Sequence, residues 1–277
     1  YYRYRAIEFL AKEEDKKMYG NVESISGRLS AIMKTLLVKR LESSFYAFTQ
    51  SLSRFQKAID NMLAMFDDNR VFIAPDLDIN KLLEEGLSYD EIEAKINEKG
   101  GNNKEYKKDA FDKKFVALLK QDKEKVDDLI ERWGKVKKDP KLIEFAKQIQ
   151  EEFFKPKQNI SGKLIIFSES KETAEELTLK LSKITKKNVL TVSAENRKYV
   201  EHTIRDNFDA NLEEDKWQTE YDIIITTEVL AEGINLHRSN VIVNYDVPWN
   251  STRLMQRIGR VNRIGSRADR IYVYNYY

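Results

Sequence analysis

Five short apolar runs alternate with helical patterns in the second half of the chain, and this alternation constrains the fold more than any other feature of the sequence. The runs are rich in β-branched and aromatic residues, as buried strands are. They are KLIIFS (163–168), NVLTVS (188–193), YDIIITT (221–227), NVIVNYD (240–246) and RIYVYNY (270–276). Nearly continuous apolar strands separated by helices are typical of a parallel sheet with helices on both faces. We therefore predict an α/β domain over residues 157–277.

The first half of the chain is charge-rich, short of Gly and Pro, and dominated by helical periodicity. Its longest amphipathic run covers about Ser24 to Asp67, where apolar residues recur at steps of three and four. Further helices are predicted over 87–97, about 108–137 and 139–154, with a glycine and asparagine loop over 97–105. SYDE (88–91) has the spacing of a capping box, and Asp139 with Pro140 suits a helix start. We therefore predict a nearly all-α region.

A change of composition marks the predicted domain boundary. KPKQNISGK (155–163) contains Pro156 and Gly162 and has no apolar periodicity. The sequence is thus predicted to divide into a helical extension or protrusion, residues 1–156, and the α/β domain.

Bulk composition excludes several classes of function. The 48 basic and 46 acidic residues give a net charge of only +2, so an anion site must come from local clustering. The chain has no cysteine and only two distant histidines, His202 and His237, which argues against disulfides, thiolate metal sites and a catalytic zinc. There is no long apolar stretch and no secretory signal pattern, so we expect a cytoplasmic protein that does not contact a membrane.

Hydroxyl-bearing and basic residues follow the predicted strands. In open parallel sheets, ligands bind beyond the carboxyl ends of the strands. Candidates for contacting phosphate oxygens at this edge are Ser168, Lys171, Ser193, Arg197, Thr226 and Thr227. The same residue types also cap helices, and for any one of these residues both interpretations stay open.

The segment LMQRIGRVNRIG (254–265) combines a helical pattern with several arginines. If a helix begins at about Ser251, one apolar face consists of Leu254, Ile258 and Val261. The polar residues are predicted to lie on other faces, outside the core: Arg253, Gln256, Arg257 and Arg260. Gly259 within a helix costs about 1 kcal/mol relative to alanine, which suggests close approach of another backbone or a ligand.

Arginine is the only basic residue type around this segment. Between Arg238 and Arg270 there is no lysine, and the only acidic residues are Asp246 and Asp269. The planar guanidinium suits bidentate contacts with phosphate, whereas a merely soluble face mixes lysine and glutamate. The alternative, a solvated basic helix, stays open.

Three ordered motifs carry a family resemblance. TTEVLAEGINL (226–236), VIVNYDVPWN (241–250) and LMQRIGRVNRIG resemble motifs V and VI of superfamily 2 helicases and translocases, in the spacing of bacterial relatives of the Swi/Snf-type remodelling ATPases. LIIFSESKETAEEL (164–177) resembles motif IV of that group. The resemblance covers residues 163–277 and implies a RecA-like C-terminal lobe. The helical half resembles the family only weakly, through LLVKRLESSF (36–45).

The resemblance implies a shared ATP site. In this family two RecA-like lobes enclose ATP, and the second lobe supplies arginine fingers, whose positions match Arg260 and Arg263 here. Gln256, Gly233 and Glu232 match positions on the nucleotide side of the cleft. The residues at the strand ends match those that bind the phosphate backbone of one nucleic-acid strand. We expect DNA more than RNA as the partner.

Departures from the family pattern limit what this chain does alone. No GxxxxGK[ST] phosphate loop occurs in it, so ATP and Mg²⁺ are expected to be bound mainly by a first RecA-like lobe of the same polypeptide. The chain by itself is predicted to bind ATP poorly and to hydrolyse none. Glu228 stands where many relatives carry aspartate at a ribose contact.

Two alternatives stay open. The domain could be a helicase-like module that binds nucleic acid or a partner without ATPase activity. Lysine clusters in the helical half, such as Lys107 and Lys108, could guide duplex or bind a partner, or could be solvated faces among acidic residues.

Overall fold

The computed structural model describes residues 2–20, 22–84, 87–231 and 233–277, and for residues 22–32 and 84 it describes the backbone alone. The chain divides into two compact units, the first formed by Tyr1–Val38 with Thr49–Val136 and the second by Lys39–Phe48 with Lys137–Tyr277. No helix among the described residues is long and apolar enough to cross a membrane.

The first unit is mainly helical. It contains a 3-10 helix (Tyr2–Phe9), α1 (Glu13–Met18), most of α2 (Val22–Ser43) and α3 (Phe45–Asp67), α4 (Ile79–Glu84), α5 (Tyr89–Lys99), a second 3-10 helix (Lys108–Ala110) and α6 (Lys114–Gly134). The unit also contains a short antiparallel pair of strands, β1 (Val71–Ile73) and β2 (Lys104–Tyr106). Aromatic rings of Phe66, Phe111 and Phe115 pack edge-to-face or stacked at the centre of its core.

Several helix predictions for this region are confirmed. Ser88 forms the predicted capping box with Glu91 at the start of α5. The amphipathic run from Ser24 to Asp67 is interrupted at Ser44, between α2 and α3. The predicted loop over 97–105 is shorter, because α5 continues to Lys99 and β2 begins at Lys104. The prediction of a nearly all-α region missed the β1–β2 pair.

The second unit confirms the predicted parallel α/β fold. Its sheet has the order β4-β5-β3-β6-β7 and every neighbouring pair is parallel. The strands lie within the predicted runs: β3 (Leu164–Phe167), β4 (Val189–Val192), β5 (Ile223–Thr226), β6 (Val241–Asn244) and β7 (Tyr272–Asn275). The helices are α7 (Pro140–Glu151), α8 (Lys171–Ile184), α9 (Arg197–Phe208) and α10 (Ser251–Val261). Two 3-10 turns, Glu214–Lys216 and Glu228–Leu230, complete it.

Helices cover both faces of this sheet. One core cluster joins α7 and α8 to the sheet through residues such as Phe145 and Leu177, and the other joins α9 and α10 through Phe208 and Val261. Asp139 caps α7 as predicted, accepting a hydrogen bond from the Leu142 backbone N–H at 3.0 Å. Because α7 packs on the sheet, the compact units divide at residues 136 and 137, before the predicted boundary at 155–163.

Candidate functional site

The loops after three neighbouring central strands carry the motifs identified in the sequence. β3 lies between β5 and β6, and in a parallel sheet their carboxyl ends meet at one edge. The loop 168–170 follows β3, the segment 227–236 follows β5, and α10 follows β6. The candidate site is therefore assembled from chain segments that are distant in sequence.

Two predicted phosphate-binding hydroxyls are buried. Ser168 and Thr226 are both 0% exposed. Ser168 Oγ donates to Asp246 Oδ2 at 3.0 Å, and Thr226 Oγ1 lies 3.2 Å from the carbonyl oxygen of Val192. These contacts favour the structural interpretation for both hydroxyls, and their contact with nucleic acid stays a prediction.

Three other candidates, Lys171, Ser193 and Thr227, lie at or just before the starts of helical segments. Lys171 begins α8, and its Nζ lies 2.7 Å from Glu195 Oε1, whose carboxylate raises the pKa of the lysine through a hydrogen bond. The backbone N–H of Ser193 donates to Asn196 Oδ1 at 2.8 Å, which orders the turn before α9. Thr227 is half-buried and precedes the 3-10 turn Glu228–Leu230 without capping it.

Arg197 and Gly233 lie close together. Gly233 has a φ of +84°, a left-handed conformation that L side chains rarely adopt. A Cβ atom placed there would lie 2.8 Å from Nη2 of Arg197, at the start of α9. The glycine thus allows the guanidinium to lie against the loop after β5. Its predicted neighbour in the nucleotide site, Glu232, lies outside the described residues.

The prediction that Arg257 lies outside the core is wrong. Its side chain is 0% exposed, and it lies on the face of α10 that also carries Leu254 and Val261. Arg257 lies three residues after Leu254 and four before Val261, and residues with this spacing share one face of a helix. The sequence therefore already indicated that Arg257 lies on the apolar face. The sequence interpretation treated arginine as a surface residue and assigned the position to another face.

Arg257 is buried because its donors are paired. Nη1 donates to Asn244 Oδ1 and to the Asp246 carbonyl oxygen, both at 3.0 Å. Nε donates to Glu228 Oε1 at 2.8 Å, and Nη2 donates to the same oxygen. The guanidinium also lies 5.1 Å from the centroid of the Phe167 ring. The family departure at Glu228 therefore has a structural role here, since its carboxylate neutralises a buried cation.

The predicted arginine fingers occur at the end of α10. Arg260 is half-buried in its last turn. Arg263 is exposed, with Nε donating to the Gly259 carbonyl oxygen at 3.2 Å and Nη1 donating to Asn235 Oδ1. Gln256 is half-buried one helical turn earlier. The Asn235 contact links the Arg263 guanidinium to the loop after β5.

The space beside the Cα atom of Gly259 is open among the described residues. A Cβ atom added there would meet no atom within 4 Å. No described backbone therefore explains the glycine at the position of a Cβ atom, and the suggested approach of a ligand stays a prediction.

His237 is buried beside the arginine segment. It is 2% exposed, its Nδ1 lies 3.6 Å from Asp209 Oδ1, and its Nε2 lies 3.5 Å from the point where a Cβ on Gly265 would be. Burial lowers the pKa of the imidazole below its ordinary value of 6.5. The Asp209 carboxylate raises this pKa, and the positive charge of Arg263 lowers it further, so the net shift is downward. His237 thus lies beside Gly265, in the loop that follows Arg263.

This burial predicts loss of stability in acid. The folded state resists protonation of His237 while the unfolded state accepts it, so the free energy of unfolding falls as the pH drops below about 6.5. The midpoint of urea unfolding at pH 5.5, relative to pH 7.5, should fall less in His237→Gln than in the wild type. Equal acid sensitivity of His237→Gln and wild type would contradict this role.

Similarity to known proteins agrees with this arrangement of motifs. Residues 141–265 match the helicase conserved C-terminal domain. The chain is 46% identical over 61 residues to an uncharacterized ATP-dependent helicase YqhH of Bacillus subtilis (strain 168), covering 22% of this chain and 11% of that protein. It is 33% identical over 131 residues to the ATP-dependent RNA helicase ROK1 of Eremothecium gossypii, covering 47% of this chain and 20% of that protein.

The similarity extends to the ATP-dependent RNA helicase eIF4A of Saccharomyces cerevisiae, at 30% identity over 144 residues, 48% of this chain and 34% of that protein. Among solved structures, the C-terminal part of the Fun30 ATPase domain has a TM-score of 0.39 and 15% identity, covering 84% of this chain and 67% of that one. The chain spans no more than about a third of the length of the three curated relatives named here. Residues 141–265, which lie in the second unit, thus form a conserved C-terminal domain of the kind found in ATP-dependent helicases.

Proposed function

We propose that this chain is the C-terminal motor lobe of an ATP-dependent nucleic-acid helicase or translocase of the Swi/Snf-like type, with Arg260 and Arg263 as arginine fingers. The observation that carries the proposal is the orientation of Arg263. Its guanidinium is exposed at the end of α10 and hydrogen-bonded to Gly259 and Asn235, so it is positioned before any ligand binds. A preorganised cation stabilises charge that develops on a transferred phosphoryl group.

The ATP site is shared in this proposal. A first RecA-like lobe of the same polypeptide would bind most of the nucleotide and its Mg²⁺, and Gln256, Gly233 and Glu232 are assigned to the nucleotide side from their match to the family motifs. Arg263 fits such a site because a guanidinium has five N–H donors, and the two contacts described above involve only Nε and Nη1. This chain alone is then expected to be inactive in ATP hydrolysis.

The nucleic-acid contact is proposed for the carboxyl edge of the sheet. Lys171 and Arg197 lie at the starts of α8 and α9, where helix N-termini add backbone N–H donors for phosphate. Ser193 and Thr227 lie at the ends of the neighbouring strands. Such contacts position a polymer without reading its sequence. The Swi/Snf-like spacing of the motifs supports DNA, whereas two of the relatives named above are RNA helicases.

The test is ATP hydrolysis by the full-length protein with duplex DNA, single-stranded DNA and RNA added separately. We expect DNA to stimulate turnover and RNA to do so less. Stronger stimulation by RNA would show that RNA is the preferred nucleic acid and would leave the assignment as a motor lobe unchanged. Binding of nucleic acid without any hydrolysis would support the alternative, a helicase-like binding module.

A further inference from the structure

The carboxylate of Asp246 connects loops that the motifs place at the proposed nucleic-acid surface. Asp246 follows β6, and it is 7% exposed. Its Oδ2 accepts a hydrogen bond from Ser168 Oγ at 3.0 Å, and its Oδ1 accepts one from the backbone N–H of Glu169. Both donors belong to the loop between β3 and α8. One buried side chain therefore holds the first two residues of the loop that leads to Lys171.

The same loop is contacted by residues 39–48. Ser43 Oγ donates to Asp246 Oδ2 and lies 2.7 Å from Thr173 Oγ1 in the first turn of α8. Arg40 Nη1 donates to Ser170 Oγ at 2.7 Å and to Glu172 Oε2 at 2.6 Å. Ser43 is 2% exposed, so its contact with Asp246 is shielded from water. Residues 39–48 thus pack on the start of α8 through polar side chains.

The backbone of Asp246 extends these contacts to the other motifs. Its carbonyl oxygen accepts from Arg257 Nη1 at 3.0 Å, and Arg257 in turn donates to Glu228. Direct hydrogen bonds thus run from the loop after β3, through Asp246 and α10, to the loop after β5. A buried network of this kind has few alternative arrangements, because each unpaired member would be costly.

We propose that Asp246 is a positioning residue for the nucleic-acid contact, and that Ser43 assists it by holding both the Asp246 carboxylate and the first turn of α8. It does not touch the polymer; it fixes the loop 168–170 and the start of α8, so that Lys171 and the helix N-terminus meet the phosphates in a defined position. This inference rests on the proposed function. The inference goes beyond the proposed function because it makes the affinity for nucleic acid depend on Asp246, a buried acidic residue whose own charge would repel phosphate.

The variant Asp246→Asn tests the proposal in the full-length protein. It keeps the size of the side chain but removes the charge and places an amide donor where one oxygen now accepts. We expect the DNA concentration for half-maximal ATPase stimulation to rise about tenfold while kcat at saturating DNA changes less than about twofold. Ser43→Ala, a milder change, should raise the same concentration by about two- to fourfold. The exposed Asp269 provides the matched control, because Asp269→Asn makes the same charge change and should leave both quantities unaltered.

Amide hydrogen exchange without DNA supplies the readout that does not depend on the proposed function. The Glu169 amide, which donates to Asp246, should exchange faster in Asp246→Asn than in the wild type. Unchanged exchange at Glu169 would overturn the positioning role. An unchanged half-maximal DNA concentration in both Asp246→Asn and Ser43→Ala, or a fall in kcat without a change in that concentration, would overturn it too. If the wild type is not stimulated by nucleic acid, the proposed function fails first, and this inference fails with it.

Discussion

Replacing Arg257 by alanine is expected to lower the free energy of unfolding of the α/β unit by about 3 kcal/mol, because it removes the buried member of an ion pair whose other member, the Glu228 side chain, is 27% exposed. The change would leave the Glu228 carboxylate without its buried cation and would leave Asn244 Oδ1 and the Asp246 carbonyl oxygen without a donor. Arg257→Lys should recover little of this loss, because an ammonium lacks the planar fork that reaches all three acceptors.

Arg253→Ala is the matched control for this prediction. Arg253 lies on the same helix, but its side chain is 53% exposed and its Nη1 lies 4.0 Å from the nearest oxygen of Glu169. Because an exposed pair of this kind contributes about 0–1 kcal/mol, the control should change little. Urea unfolding followed by circular dichroism measures both variants. Equal stability of the Arg257→Ala and Arg253→Ala proteins would contradict the structural role of Arg257.

Replacing Arg263 by alanine in the full-length protein is expected to lower nucleic-acid-stimulated ATP turnover by on the order of 10³-fold. The physical reason is that the guanidinium stabilises charge that grows only in the transition state, so its loss lowers kcat more than it weakens binding of the ground state. The dissociation constant for nucleic acid should stay within about twofold, because the phosphate-backbone contacts are proposed for other residues.

Arg270→Ala provides the control for charge, since Arg270 is an exposed arginine seven positions further along the chain. It should keep wild-type turnover. Two results for Arg263→Ala would contradict the assignment of Arg263 as an arginine finger. One is normal ATP turnover, and the other is loss of nucleic-acid binding without loss of turnover.

The parallel sheet could be predicted from the sequence because its strands are both long enough and apolar enough to be distinct. β3, β5 and β6 are buried along their whole length, and each lies inside an uninterrupted apolar run. Helix caps were equally readable, as at Ser88 and Asp139, because a cap depends on residues only a few positions apart.

The missed features depend on partners that are distant in the chain. β1 and β2 have three residues each, too few for a periodic pattern, and they are strands only because they pair with each other. The helical spacing of Arg257 places it on the apolar face of α10, but the pairing with Glu228, 29 positions earlier, that allows an arginine to be buried there is not visible in the sequence. Residues 39–48 join the second unit through single hydroxyl and guanidinium contacts such as that of Ser43, which leave no mark in hydrophobic periodicity.

The candidate site was only partly predictable for the same reason. Residue type and position identified Arg197 and Gly233 separately, but only the three-dimensional structure shows that the glycine leaves room for the guanidinium. Ser168 was assigned to phosphate binding because a hydroxyl after a strand suits that role, yet in the structure the hydroxyl bonds to Asp246. A side chain that can donate to phosphate can equally donate to a neighbouring carboxylate, and sequence spacing does not distinguish the two.

The most direct test of a shared ATP site is a structure of the full-length protein bound to nucleic acid, ADP, Mg²⁺ and aluminium fluoride, which imitates the transferred phosphoryl group. We expect the guanidinium groups of Arg260 and Arg263 to lie within hydrogen-bonding distance of the fluoride ligands. The Asn235 contact of Arg263 should persist, because it orients the side chain in the structure described above. A nucleotide bound by the first lobe with both guanidinium groups directed away from it would contradict the central claim that this chain completes the ATP site.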